Sequence, residues 1–325
     1  MARLLKTKSV YYNDVNLIAR PSVINSRSEV PKELNRIIVS PMDAVIGETF
    51  AKEADKLGLT ICLHRFCTIE QQINIFRRLK NTDNIFVSVG LNDLARVKAL
   101  SSAGAKNFLI DVANGYIPIV QAFERVIINS VEVNKLMVGN VMTADGYHNL
   151  ITEKPTYVRI GIAGGSVCAT SDMTGYNRGQ ITELMEVKHA KDNLKIENLE
   201  QFIVADGGIK NGNYAAKAFA AGADYVMMGG YFARAQEAET YITGDGTYWG
   251  GASHKQQERC GGVKRHSEGK VVKIEEEIKP LATLVDELWG GLASAISYSG
   301  YRSLTEFIGH GIFEIKQNSL PPSKR

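Results

Sequence analysis

Eight short runs rich in valine and isoleucine, separated by segments of helical period, constrain this chain more than anything else in it. The runs lie at 37–44, 59–65, 84–90, 107–113, 135–143, 156–162, 201–208 and 225–230. Each is nearly continuous in apolar character, which is how a strand reads when both of its faces are covered. Between them, stretches such as 47–57, 69–79, 91–103 and 213–221 return apolar residues every three or four positions. Strand and helix alternating eight times predict an α/β fold, a closed (β/α)8 TIM barrel. A doubly wound sheet competes, but no run opens into the GxGxxG turn that such sheets use for dinucleotides. At 325 residues the chain can bury one such core. The expectation is a single catalytic domain over 1–325 with three additions. These are a polar N-terminal arm at 1–36, a mobile active-site loop with a hairpin at 241–280, and a frayed tail at 316–325.

Charge and cysteine usage narrow the class of partner. A net charge of +3 with no basic stripe argues against nucleic acid. The start of the chain lacks the apolar run of a secretory signal, and no stretch approaches the roughly 18 apolar residues of a membrane span. Cys62, Cys67, Cys168 and Cys260 form no CxxC pair, so they read as reduced thiols of a cytoplasmic protein. His64, His148, His254 and His310 show no metal-ligand spacing, and Trp249 and Trp289 read as packing residues.

In a barrel, chemistry sits where the strands end. The ends here are polar or glycine: Met42-Asp43, His64-Arg65, Ser88-Val-Gly90, Asp111-Val-Ala-Asn114-Gly115, Gly139-Asn140, Asp206-Gly-Gly208 and Gly229-Gly230. Gly207, Gly208, Gly229 and Gly230 let backbone N–H groups approach an anion closely, which predicts a phosphate site after the last two strands. Asp206 beside them can accept from vicinal ribose hydroxyls. The sixth end, Gly161-Ile-Ala-Gly-Gly-Ser-Val-Cys168-Ala-Thr170, is the sharpest feature. Its glycines make a permissive turn that presents Cys168 as a nucleophile, with the Thr170 hydroxyl two residues on as a proton relay. A carboxylate is available in Arg265-His-Ser-Glu268-Gly269, although by pattern alone Glu268 reads as a solvated charge.

These residues in this order resemble the IMP dehydrogenase/GMP reductase family. The likeness runs through Ser26-Arg-Ser-Glu29, Met42-Asp43, the Cys168 loop, Asp206-Gly-Gly, 218–230 and 265–270. Asp111-Val-Ala-Asn-Gly-Tyr116, the lack of an inserted regulatory domain and the short loop ending in Ser267-Glu268-Gly269 are similar to the reductase branch. The resemblance implies NADPH-dependent reductive deamination of GMP, or dGMP, to IMP or dIMP through a covalent bond between Cys168 and the purine. It implies Cys168, Thr170 and Glu268 as catalytic residues. Nucleotide contacts then fall to Ser166, Asp206, Gly207, Gly208, Gly229, Gly230, Gly251, Ala252, Arg265, Ser267 and Gly269. Asp111, Ala113 and Asn114 match the nicotinamide side, while Ser26, Arg27, Ser294 and Ser297 match segments that complete the cofactor site between subunits of a homotetramer. Backbone carbonyls of Ala163, Gly165 and Cys168 match a K+ site.

The chain also departs from the family pattern. Ala163 stands where glycine is usual, Gly164 where proline is common and Ser171 where reductases carry arginine, while 250–253 differs from the usual base-reading segment. Two other readings stay open on sequence: oxidation of IMP to XMP, and a catalytically inactive purine-nucleotide-binding regulatory protein. NADPH and NADH are not distinguished.

Overall fold

A computed structural model describes residues 8–194, 200–261 and 268–316. A short strand β1 (Val15–Leu17) precedes eight parallel strands: β2 (Ile37–Val39), β3 (Thr60–Leu63), β4 (Ile85–Val89), β5 (Asn107–Ile110), β6 (Lys135–Val141), β7 (Tyr157–Ile160), β8 (Phe202–Asp206) and β9 (Tyr225–Met228). The eight close into a barrel, with β9 returning to β2 through the pairs Ile37↔Val226 and Val39↔Met228. Helices α1 (Glu48–Lys56), α2 (Ile69–Arg77), α3 (Leu94–Ser102), α4 (Pro118–Ser130) and α5 (Ala144–Leu150) follow β2 to β6 in turn. A short α6 (Thr170–Thr174) and then α7 (Gln180–Asn193) follow β7, and α8 (Gly212–Ala220) follows β8.

Period-two alternation explains why strands buried on both faces still make two distinct cores. Ile38, Cys62, Phe86, Leu109, Met137, Tyr157, Val204 and Met227, one from each barrel strand, form a cluster of their own. Only the inside of the barrel brings eight such residues together. Their neighbours, such as Ile37, Val39, Ile61 and Val87, point outward into the cluster made with the helices. Each of these side chains contributes about 1.5–3 kcal/mol on burial, so both layers are needed to offset chain entropy.

The strands are shorter than the apolar runs. The first run, 37–44, pairs only as Ile37–Val39, because the chain turns at Met42, whose carbonyl accepts from Val45 N at 2.9 Å. The N-terminal arm is less polar in its role than its composition suggests. Tyr12 and Val15 are buried, and β1 pairs antiparallel with β12 (Phe313–Ile315), numbered here as the last strand of the chain. The frayed tail expected at 316–325 lies outside the described residues except for Lys316.

Between β9 and the long helix α11 (Leu281–Tyr298) the chain makes an excursion over the barrel mouth, formed by α9 (Glu239–Ile242), β10 (Thr247–Trp249), α10 (His254–Arg259) and β11 (Val271–Lys273). The hairpin expected in 241–280 is the antiparallel pair β10 and β11, with Trp249 opposite Val271. A last helix, α12 (Leu304–Phe307), leads into β12.

Candidate active site

The loop after β7 is shaped by a close approach of two strand ends. A Cβ on Gly161 would lie 2.0 Å from the Asp206 carbonyl oxygen, and the residue sits at φ 130°, so no side chain fits there. Ala163 follows at φ 65°, left-handed despite its side chain. That conformation costs a non-glycine residue about 1–2 kcal/mol. The Cys168 amide then donates to the Gly165 carbonyl at 3.0 Å, closing the turn that presents the thiol.

Three side chains meet there. The Cys168 thiol donates to Thr170 Oγ1 at 3.2 Å, and the Thr170 hydroxyl donates to Glu268 Oε2 at 3.0 Å. Glu268 is 98 residues from Thr170 in sequence and belongs to the excursion, not to the barrel. Backbone pairing brings it in: Ala169 N donates to Glu268 O at 2.7 Å and Lys270 N to Val167 O at 2.8 Å. Gly269 forms isolated bridges with both Cys168 and Ser253.

The triad opens on a cavity of about 720 Å³. Of the candidate nucleotide contacts, Ser166, Asp206, Gly207, Gly208, Gly229, Gly230, Gly251, Ala252 and Gly269 border it. Arg265 and Ser267 lie outside the described residues. The glycines are needed where they stand: a Cβ on Gly229 would come 2.6 Å from the Tyr248 hydroxyl and 2.7 Å from Met42 Sδ. Gly207 and Gly208 sit at φ 104° and 75°, a left-handed path that bares their backbone.

Below the cavity the barrel holds a charged layer. Arg159 on β7 is 6% exposed; its Nε lies 3.2 Å from Asp206 Oδ2 and its Nη1 3.4 Å from Asp111 Oδ1. The Arg159–Asp206 contact has ion-pair distance without hydrogen-bond alignment. Asn140 donates to Asp206 Oδ2 at 2.8 Å and accepts from Arg159. Arg65 Nε lies 3.3 Å from Asp111 Oδ2. Asp111 is therefore held between two arginines. Of the residues matched to the nicotinamide side, Ala113 borders the cavity, while Asn114 Oδ1 accepts from Tyr116 N at 3.0 Å.

The other four cofactor candidates gather elsewhere. Ser26 caps a 3-10 turn at Arg27–Glu29, and Arg27 Nη1 reaches Ser294 Oγ on α11 at 3.5 Å. Ser297 Oγ donates to the Ser294 carbonyl at 2.9 Å. None of the four borders the Cys168 cavity.

Sequence reasoning missed two residues here, Tyr248 and Arg159, and named Asn140 only as a strand end. Tyr248 borders the cavity and donates to Met42 Sδ at 2.8 Å; burial, and then Asp206, raise its pKa, so the phenol stays protonated. Its signal is an aromatic beside Trp249, within the 241–280 active-site loop. Arg159 and Asn140 were legible as polar residues within apolar strands. Of the other thiols, Cys62 is inside the barrel, where burial first of all pushes its pKa up and leaves it unreactive. Trp249 is a packing residue, 1% exposed.

Comparison with known proteins matches the chain to a family model. The model of the IMP dehydrogenase / GMP reductase domain matches residues 10–320. The GMP reductase of Serratia proteamaculans (strain 568) is 32% identical over 324 residues, covering 91% of each chain. That of Yersinia enterocolitica is 31% identical, covering 91% of each, and that of Onchocerca volvulus 28% identical, covering 93% of this chain and 89% of its own.

Proposed function

The chain belongs to the IMP dehydrogenase/GMP reductase family, and we propose that it reduces GMP or dGMP with NADPH, releasing ammonia and IMP or dIMP. The observation that carries this reading is the run from thiol to hydroxyl to carboxylate, Cys168–Thr170–Glu268, opening on a glycine-lined cavity. Binding alone needs no such chain; bond-making at a purine carbon does.

The Cys168 thiol passes its proton through Thr170 to Glu268, and the thiolate attacks C2 of the purine. The same relay returns the proton to the 2-amino nitrogen, because an amine leaves only when protonated. The C2–N bond breaks, ammonia departs and the purine stays bonded to sulfur. NADPH, when bound, supplies the hydride that replaces sulfur at C2. Ala113, small and at the cavity edge, leaves room for a flat ring, and Asn114 beside it carries an amide. Asp206 meets the ribose, and the backbone of Gly207, Gly208, Gly229 and Gly230 meets the phosphate.

Ser26, Arg27, Ser294 and Ser297 lie away from their own cavity. That suits a role completing the cofactor site of a neighbouring subunit in a homotetramer. The Ala163, Gly165 and Cys168 carbonyls are neutral hard donors suited to K+, and Ala163 keeps the left-handed path in spite of its methyl group. Thermal stability with K+ against Li+ tests that site. No helix among the described residues is long and apolar enough to cross a membrane; a cytoplasmic location accords with the reaction.

Purified protein with GMP or dGMP and NADPH should lose absorbance at the nicotinamide band and release ammonia in equal amounts. Steady formation of NADH from IMP and NAD instead would select the dehydrogenase reading. Nucleotide binding with neither reaction would select a regulatory protein.

A further inference from the structure

Glu268 is not on a barrel element, so something must fix the excursion that carries it. Gly269 is bridged to Ser253 as well as to Cys168, and Ser253 caps α10 by accepting from Gln256 N at 3.2 Å. Six residues of helix do not hold themselves in water. The anchor is Asp43, at the turn after β2 and 7% exposed. Arg259 grips its carboxylate with Nε at 2.7 Å and Nη2 at 3.3 Å, a two-point geometry that fixes orientation as well as distance. Gln256 Nε2 donates to Asp43 Oδ2 at 3.2 Å, while its Oε1 accepts from Trp249 Nε1 at 3.0 Å. The buried Trp249 ring carries the Lys255 ammonium 4.2 Å and the Arg259 guanidinium 5.4 Å from its centroid. Besides Arg259, His64, Glu239 and Cys67 face Asp43, and burial first of all raises the Cys67 pKa. His64 Nε2 lies 3.8 Å away with its pKa lowered by burial, and Glu239 has its pKa raised by burial and then by Asp43.

We propose that Asp43 is a positioning residue for the reaction. It fastens Trp249, Gln256 and Arg259 to the barrel and so sets where Glu268 meets Thr170. Asp43 does not border the cavity, so it acts through the excursion and not on the substrate. Gly251 and Ala252 lie between Trp249 and Ser253, so the same clamp also sets the cavity wall that faces the nucleotide. The kinetic part of this inference rests on the proposed reductase reading; the thiol part does not.

Two variants of the full chain test it, Asp43→Asn and Trp249→Phe. The first removes the charge under Arg259 while keeping the shape, and the second removes the donor to Gln256. Two readouts are used: kcat and KM for GMP with NADPH, and the time course of Cys168 alkylation by iodoacetamide at one fixed pH, followed by peptide mass. In Asp43→Asn, kcat should fall at least tenfold and KM for GMP rise about fivefold. The rate of Cys168 alkylation at that pH should change at least threefold. Trp249→Phe should move the same quantities less and in the same directions, and it carries the test if Asp43→Asn does not fold. Values within twofold of the parent, with superposable alkylation time courses, overturn the proposal. If the parent reduces no GMP, the function proposed above fails, and the alkylation time courses alone decide the clamp.

Discussion

At the scale of single residues, the account turns on three side chains of different kinds. Under the proposed mechanism Cys168→Ala removes the attacking sulfur, so turnover should fall by far more than tenfold, that is by well over ~1.4 kcal/mol of barrier. Glu268→Gln keeps the Thr170 contact but cannot take a proton. It should lower kcat about 10²- to 10⁴-fold, the range of general acid–base catalysis, while leaving KM for the nucleotide within a few fold. Loss of KM without loss of kcat would make Glu268 a binding residue. Cys168 and Thr170 are legible as candidates in sequence because they share one loop after a Gly-Gly turn. Glu268 was not legible from pattern. Nothing local distinguishes it from the solvated Glu275–Glu277 run, and its partner is 98 positions away.

At the scale of elements, the barrel strands were legible because burial on both faces leaves near-continuous apolar runs. Their ends were not, since pairing stops where the chain turns at the barrel mouth, as it does after Ser40. The split of each run into an inner and an outer face was also hidden, because both faces are apolar. Arg159, Asn140 and Asp206 interrupt that uniformity at the strand ends and mark the layer beneath the cavity. The glycines after β8 and β9 carry a prediction at this scale. Gly229→Ala would push a methyl into the Tyr248 hydroxyl and Met42 Sδ. KM for GMP should rise at least tenfold as the turn after β9 shifts, with the melting temperature little changed; unchanged KM would remove this turn from the nucleotide site.

At the scale of the whole molecule, two buried carboxyls outside the site bear on the response to pH. Glu124 is 0% exposed with neither oxygen partnered, and burial first, then Glu153, raise its pKa to about 8. Burial likewise raises Glu183 to about 8, against the pull of Arg178. Both groups hold a proton more tightly folded than unfolded. Their contribution is complete below about pH 4.5 and is lost as pH rises toward 8, at roughly 1.4 kcal/mol per pH unit for each group. Melting temperature should therefore fall between pH 5 and 8, and Glu124→Gln with Glu183→Gln should flatten that fall. A double variant that declines as steeply as the parent would place the sensitivity elsewhere.

The central claim is that the Cys168 sulfur bonds to the purine during turnover. Acid quenching of the enzyme in the steady state with GMP and NADPH, then intact and peptide mass analysis, tests it directly. The account predicts a nucleotide-sized mass increase on the peptide that contains Cys168. Unmodified Cys168 throughout, while ammonia and IMP accumulate at the normal rate, would contradict it.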